Sequence, residues 1–232
     1  MSDATPECAT RTAHRLPIGY EIPHALPSGI TVTLQPGPVN PLPQPVRDPA
    51  PMLQQALRQW GGSGDLWVFA YASLIWRPDF DVAEQRLAKV HGWHRALKMW
   101  SRINRGTPEC PGLVFALLSG GSCQGAALRV PQKEGEAVLH TLWEREMLTG
   151  VYDPRWLHCR TGQGTVQALG FTLSRESPNF TGELSPEQYR HIFAHSRGRY
   201  GTTLDYADQT LRCLDQHGIR DGALQRLLSH AP

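Results

Sequence analysis

The apolar run LWVFAYASLIW at positions 66–76 leads from a block of large side chains into small and polar ones. Such a run is typical of a buried strand that opens into a loop, here around Tyr71, Ala72 and Ser73. Further short apolar segments follow, each bounded by glycine, proline or serine: WHRALKMWS, LVFALL, QGAALRV and GTVQALGFTL. Together they predict consecutive strands of a mixed or antiparallel sheet.

Helical periodicity appears between and after these segments. It predicts a helix over 135–148 that stops near Gly150, and two helices near the end of the chain, over 203–216 and 222–229. The sequence SPEQ at 185–188 places serine at the N-cap, proline at N1 and glutamine at N3, which is the pattern of a capping box. Strands mixed with helices in this order indicate an α+β domain.

The chain divides into three parts by composition. Residues 1–52 hold 11 of the 19 prolines and few consecutive apolar positions, so they predict a poorly ordered, proline-rich N-terminal tail. A short helix, MLQQALRQW, and a GGSGD hinge account for residues 53–64. Residues 65–232 are long enough to form one domain with its own core.

Charge and cysteine content narrow the class of partner. With a net charge of +2 and 19% charged residues, the chain lacks the strong positive potential that attracts nucleic acids or anionic membranes. A small-molecule partner is therefore favoured. The first 17 residues have no apolar h-region and no apolar stretch is long enough to cross a membrane, so neither export nor a membrane span is expected. Its five cysteines form no C-x-x-C pair, which favours a cytoplasmic protein without structural zinc or redox chemistry.

One carboxylate lies on the apolar side of a predicted helix. Counted at about 100° per residue from Gly135, that helix carries an apolar stripe of four residues: Val138, Leu139, Leu142 and Trp143. Glu146 falls at about 20°, in the middle of the stripe, whereas Glu144 falls at about 180°, on the solvent side. Burial raises the pKa of a carboxylate, and a raised pKa is what a general base needs near neutral pH.

The same position also suits a purely structural role. A buried ion pair between Glu146 and Arg145, Arg129 or Arg105 would perturb the carboxylate in a similar way. Periodicity alone leaves the general base and the ion pair as alternatives.

The YASL loop, Tyr71 to Leu74, allows two interpretations as well. Successive backbone N–H groups after a buried strand can bind an anion or a developing oxyanion, and small residues allow close approach. The alternative is an ordinary exit from a strand. Ser73 lacks the G-x-S-x-G surroundings of a hydrolase nucleophile.

The stretch KMWSRINRGTPECPG combines Lys98, Arg102 and Arg105 with Trp100. It favours a solvated strand edge first, a cation for a substrate carboxylate second, and single-stranded nucleic acid last. His91 and His94 lie three residues apart without acidic or cysteine partners at ligand spacing, so no metal site is predicted there.

Three blocks taken together resemble the ChaC-type γ-glutamylcyclotransferases. They are WVFAYASLIWRPDF, RGTPECPG, and GAALRVP running into LWEREMLTGVYDPRW. The likeness covers about Leu66 to Leu228, includes GRYGTTLDYADQ, and in LWEREMLTG looks like the bacterial branch. Each block is weak alone, but their combination is specific.

This resemblance implies a cytoplasmic enzyme without cofactor or metal that breaks glutathione into 5-oxoproline and cysteinyl-glycine. The implied fold is the α+β γ-glutamylcyclotransferase-like fold, a small mixed β-barrel-like sheet with flanking helices. In that family the glutamate of the RE pair is the acid/base, and this position is Glu146. The family's Y-G-S-L loop, which binds the γ-glutamyl group, matches Tyr71, Ala72, Ser73 and Leu74, and its cavity tyrosine matches Tyr206.

Two positions depart from the family pattern. Ala72 replaces the glycine of Y-G-S-L, and Thr203 replaces the asparagine of G-T-N. Ala72 matters only if the backbone there needs a positive φ or an approach closer than a methyl group permits. Two other functions therefore remain as alternatives: a cyclotransferase for other γ-glutamyl amides, and a non-catalytic protein that binds γ-glutamyl groups or 5-oxoproline.

Overall fold

A closed five-stranded barrel forms the centre of the computed structural model, which describes residues 47–232. Its strands are β1 (Leu66–Ala70), β2 (Glu84–Ser101), β3 (Gly112–Val130), β4 (Asp153–Thr161) and β5 (Gly164–Thr172). They are arranged in the order β1-β3-β2-β4-β5, and a parallel pairing of β1 with β5 closes the barrel. The mixed barrel with flanking helices confirms the predicted fold class, while most of the predicted tail lies outside the described residues.

The prediction of separate strands at LVFALL and QGAALRV was wrong, because both belong to β3. Gly120 and Gly121 lie between them with φ angles of 96° and 69°. These left-handed conformations cost glycine little, so the strand bends here without ending. The register of β2 against β3 shifts at the same level, between His91 and Trp93. WHRALKMWS is likewise only the second half of the long β2.

Strand β4 was not predicted. It forms an antiparallel hairpin with β5, from Asp153 opposite Thr172 to Thr161 opposite Gly164. Its sequence DPRWLHCRT begins with a charged residue and a proline, and only Leu157 and Cys159 are fully buried. A strand with so few buried positions gives a weak alternation signal.

Within residues 47–232, six helices and a small second sheet surround the barrel. The helices are α1 (Ala50–Trp60), α2 (Ser73–Trp76), α3 (Gln132–Glu146), α4 (Pro186–His195), α5 (Thr203–Gln216) and α6 (Gly222–Leu228). The second sheet pairs β6 (Arg197–Gly198) with β7 (Gly201–Thr202). The capping box at Ser185 and Gln188 is confirmed, whereas α3 begins three residues and ends two residues before its predicted bounds.

The predicted apolar stripe of α3 faces the barrel. Val138, Leu139, Leu142 and Trp143 are all buried, and the indole of Trp143 packs edge-on against Phe171 of β5 with ring centroids 5.8 Å apart. Glu144 is exposed, as predicted. The last residue of this helix, Glu146, is thereby directed toward the barrel.

No helix within residues 47–232 is both long and apolar enough to cross a membrane. The four cysteines of this part are unpaired, and three of them are buried: Cys123, Cys159 and Cys213.

Candidate active site

The residues singled out in the sequence meet around one cavity at the edge of the barrel. Glu146 enters it from the end of α3, the YASL loop from the end of β1, and Tyr206 from α5. The complete lining is Tyr71, Ala72, Ser73, Leu74, Phe115, Glu146, Tyr152, Phe171 and Tyr206. The enclosed volume is about 20 Å³, roughly the room for one water. A larger ligand therefore extends into the open mouth or displaces lining side chains.

The YASL loop has a backbone that accepts alanine at its second position. Ala72 has φ −146°, which lies outside the left-handed region that favours glycine. Alanine at this position therefore carries no penalty from a positive φ. The buried guanidinium of Arg95, 4% exposed, fixes the start of the loop because its Nε donates to the Tyr71 carbonyl at 2.6 Å.

The loop continues directly into the short helix α2. Ile75 and Arg77 donate the first backbone hydrogen bonds of this turn, to the carbonyls of Ala72 and Ser73. The amides of Ser73 and Leu74 precede them, and N–H groups in the first turn of a helix have no intrahelical acceptor. The loop therefore leaves two backbone donors at residues that line the cavity.

The Glu146 carboxylate is largely buried and forms an ion pair with Arg145. Its side chain is 17% exposed, and its Oε1 accepts a hydrogen bond from Arg145 Nε at 2.9 Å. Burial raises the pKa of the Glu146 carboxyl above its usual 4.5, and Arg145 limits the rise. Of the three arginines considered as partners, Arg129 binds Asp65 and Glu84 instead. Glu146 therefore forms an ion pair with Arg145 and also lines the cavity, so the two interpretations of this carboxylate do not exclude each other.

Arg145 joins the carboxylate to the loop. Its Nη2 donates to Ser73 Oγ at 3.1 Å, and its Nη1 donates to the Arg77 carbonyl and to Asp79 Oδ2, the latter at 2.5 Å. Asp79 is the one non-glycine residue of the described chain with a positive φ, 61°. One guanidinium thus fixes Glu146, the YASL loop and the turn that follows α2.

Three buried tyrosines complete the polar lining. Tyr71 donates to the carbonyl of Phe171 at 2.9 Å, and Tyr152 donates to the carbonyl of Phe115 at 3.1 Å. Burial raises the pKa of Tyr206 to about 12 and those of Tyr71 and Tyr152 well above 10. These phenols remain protonated near neutral pH, so Glu146 is the lining group suited to accept a proton.

Sequence reasoning missed three of the lining residues. Phe115 and Phe171 lie within β3 and β5, where an inward-facing aromatic side chain has the same pattern as any core residue. Tyr152 lies just before β4, a strand that was not predicted. The sequence feature that could have indicated Tyr152 is its position in the VYDPRW block, six residues after Glu146.

Thr203, the second departure from the family pattern, lies beside the cavity rather than in its lining. Its Oγ1 accepts a hydrogen bond from the Leu113 amide at 2.8 Å and lies 2.8 Å from Ser196 Oγ. The side chain is fully buried. It therefore fixes the N-terminus of α5, and with it Tyr206, against the start of β3.

We expect Thr203→Val to destabilise the fold by about 1–3 kcal/mol, because it leaves the buried Leu113 amide without an acceptor. Urea unfolding measures the effect. The matched control is Thr210→Val, also fully buried, since its hydroxyl only donates to the Tyr206 carbonyl within α5. Equal losses in both variants would contradict a specific role for Thr203.

A larger, open groove of about 570 Å³ lies elsewhere on the barrel. Its lining is Val90, His91, Trp93, Trp156, Leu157, His158, Arg160 and Thr165. It contains no carboxylate and none of the residues of the smaller cavity. His94 is not part of it, and its Nδ1 lies 2.9 Å from the Gly120 carbonyl. Residues 47–232 contain no cluster of three or more potential metal ligands.

Two cations of the basic stretch around Trp100 bind residues of the segment that precedes α4. Lys98 pairs with Glu183 at 2.6 Å, and Arg102 donates to Asn179 at 2.9 Å. Lys98 lies in the last part of β2 and Arg102 directly follows the strand, so the structure agrees with the strand-edge interpretation.

Comparison with known proteins gives a consistent result. A family model described as ChaC-like protein matches residues 66–231. The glutathione-specific γ-glutamylcyclotransferase of Escherichia coli (strain K12) is 34% identical over 166 residues, which cover 71% of this chain and 72% of that protein. Glutathione-specific γ-glutamylcyclotransferase 1 of Mus musculus is 31% identical over 172 residues, covering 71% and 76% respectively.

Solved structures agree at the level of the fold. The crystal structure of a γ-glutamyl cyclotransferase specific to glutathione from yeast superposes with a TM-score of 0.65. The match covers 72% of this chain and 96% of the yeast chain at 20% identity.

Proposed function

Because the chain belongs to the ChaC-like protein family, we propose that it degrades glutathione by intramolecular cyclisation of the γ-glutamyl group. The products are 5-oxoproline and cysteinyl-glycine. The observation that carries the proposal is the meeting of one partly enclosed carboxylate, Glu146, with the backbone amides of the YASL loop at a single cavity.

The reaction is a transfer within one molecule. The α-amine of the substrate attacks its own γ-carbonyl carbon, a five-membered ring closes, and the bond to the cysteine nitrogen breaks. The amine loses a proton and the departing nitrogen gains one, so neither water nor a cofactor is consumed. Since nucleophile and electrophile are already joined, the protein needs only to hold them in an attacking geometry.

We assign the proton transfers to Glu146. It must be ionised to accept the proton of the α-amine, and it must then return a proton to the leaving nitrogen. Burial raises its pKa, which makes it a stronger base, and Arg145 limits that rise, which favours the ionised form. The two effects together suit a group that both takes and gives a proton near neutral pH.

We assign the stabilisation of the oxyanion to the YASL loop. The amides of Ser73 and Leu74 can donate to the oxygen of the tetrahedral intermediate, where negative charge develops. Arg145 holds the loop through Ser73 Oγ. Tyr71 and Tyr206, protonated and buried, line the cavity around the γ-glutamyl group.

The substrate is thus a small molecule, and a cytoplasmic location is part of the same proposal. The unpaired cysteines of the described chain support it, because disulfides are rare where glutathione is kept reduced.

Release of 5-oxoproline from glutathione and from γ-glutamyl-alanine by the purified protein tests the proposal. We expect turnover of glutathione and at least a tenfold lower kcat/KM for γ-glutamyl-alanine. Equal turnover of both would indicate a general γ-glutamyl cyclotransferase. Binding of either without turnover, by a folded protein, would indicate the non-catalytic alternative.

A further inference from the structure

A second arginine, Arg105, lies over Tyr206, a residue of the cavity lining. Its guanidinium carbon is 4.8 Å from the centre of the Tyr206 ring. One of its nitrogens, Nη1, donates to the Tyr200 carbonyl. The rest of the guanidinium has no hydrogen-bond acceptor among residues 47–232, although it carries five donor N–H groups in all.

The charge of Arg105 is only partly compensated. The residue is half-buried and forms no salt bridge within residues 47–232. The charge of the Asp205 carboxylate raises the pKa of the guanidinium without a direct ion pair. Burial lowers the pKa of its guanidinium, and the charge of Arg77 acts in the same direction. A partly desolvated cation without a carboxylate partner is costly unless a ligand supplies the negative charge.

The backbone around Arg105 is held closely in place. A Cβ atom at Gly112 would overlap the Arg105 carbonyl, and one at Gly198 would lie 2.5 Å from the Arg105 amide. The amide also donates to Ser101 Oγ at 3.0 Å. These close approaches explain the glycine at the end of RGTPECPG and fix the position from which the Arg105 side chain reaches Tyr206.

Other cations surround the same part of the surface. Arg77 and Arg199 lie against the partly exposed ring of Tyr200, with guanidinium carbons 5.4 and 5.1 Å from its centre. Arg77 is paired with Asp79, while Arg199 has no salt bridge within the described chain. Arg105, Arg77 and Arg199 therefore form a positively charged rim beside the cavity.

We propose that Arg105 binds the glycyl carboxylate of glutathione and so selects glutathione among γ-glutamyl compounds. This inference rests on the proposed function. With the γ-glutamyl group at Glu146 and the YASL loop, the leaving dipeptide points out of the cavity. Its terminal carboxylate lies about 7 Å from the γ-carbonyl when extended. Arg105 lies 4.8 Å from the centre of the ring of Tyr206, which lines the cavity, so we place the carboxylate there.

The chemistry of the two groups is complementary. A guanidinium presents a planar fork that can bind both oxygens of a carboxylate, and such charge-assisted pairs are the strong ones. Stacking on Tyr206 holds the guanidinium in one orientation. Arg102, the other candidate in this stretch, is exposed and bound to Asn179 instead.

The test is a cycle of two enzymes and two substrates. Wild type and Arg105→Gln are compared on glutathione and on its glycyl ethyl ester, which keeps the γ-glutamyl end but lacks the terminal charge. On glutathione, we expect the variant to lose about 10- to 100-fold in kcat/KM, mainly through KM. On the ester, which wild type already uses poorly, the further loss should stay within about threefold.

Two further variants complete the design. Arg105→Lys retains the charge but not the fork, so its loss on glutathione should be intermediate, again with little effect on the ester. Arg102→Gln is the matched control and should change neither substrate more than twofold. Arg105→Lys also provides the test if Arg105→Gln fails to fold by circular dichroism.

The outcomes separate the two proposals. Equal losses on glutathione and ester would overturn this inference, since they would indicate a structural role at Tyr206 or a contact with the α-carboxylate, which both substrates share. If folded wild-type protein released 5-oxoproline from neither glutathione nor the ester, the proposed function would be overturned, and this inference with it.

Discussion

Glu146→Gln is expected to lower kcat for 5-oxoproline formation by about 10²- to 10⁴-fold, the usual contribution of a general acid/base. Glutamine keeps the size of the side chain and an acceptor for Arg145 but cannot take the proton of the α-amine. The measurement is 5-oxoproline released from glutathione at saturating substrate. Glu144→Gln, an exposed carboxylate of the same helix, is the matched control and should retain full activity.

The same substitution should not weaken the fold. The pKa of Glu146 is raised in the folded state above its usual 4.5, so the folded protein binds this proton more tightly than the unfolded chain. The contribution of Glu146 to stability is therefore most favourable below pH 4.5 and declines as pH rises through the folded pKa. Glu146→Gln should thus be at least as stable as wild type at pH 7, and a variant that loses activity by unfolding would not support the assignment.

Arg145→Met is expected to move the acid limb of the pH–rate profile to higher pH. Arg145 lowers the pKa of Glu146 through its charge and its hydrogen bond, so its removal leaves the base protonated over a wider range. Because the ionised form is the active one, we expect kcat/KM on the acid limb to fall by about tenfold for each unit by which the pKa rises, and to recover in part at higher pH. The full profile of log kcat/KM against pH measures the shift.

Asp79→Asn is a control that should shift the pKa of Glu146 in the opposite direction. The Asp79 carboxylate contacts Arg145 at 2.5 Å, and its charge raises the pKa of Glu146. Its neutralisation should move the acid limb to lower pH. The other ionisable groups facing Glu146 are Tyr71, Tyr152 and Tyr206, whose pKa values are far above this limb. Acid limbs that coincide in wild type and Arg145→Met would contradict the role given to Arg145.

The sequence was most informative where one residue broke a pattern. A carboxylate in the apolar stripe of α3 identified Glu146, because helical periodicity fixes which face a residue occupies. The same wheel correctly separated the exposed Glu144. The ion pair with Arg145 was foreseen only as an alternative to catalysis, and periodicity could not show that Arg145 also reaches Ser73 and Asp79.

Contacts between distant parts of the chain were harder to predict. Phe115 and Phe171 face the cavity from strands, where nothing in the local pattern separates a cavity wall from a core. Local pattern also divided β3 in two at Gly120, because a glycine pair signals a turn as readily as a bend within a strand. Arg105 appeared as one of several cations, and only its position over Tyr206 separates it from Arg102.

The origin of the oxygen atoms in the product tests the central claim most directly. Glutathione is turned over by wild-type protein in water enriched in oxygen-18, and the products are analysed by mass spectrometry. Attack by the substrate's own amine predicts unlabelled 5-oxoproline and an equal amount of cysteinyl-glycine, with no free glutamate. Glutamate carrying one oxygen-18 atom in its γ-carboxylate would show that water is the nucleophile and would contradict the cyclisation.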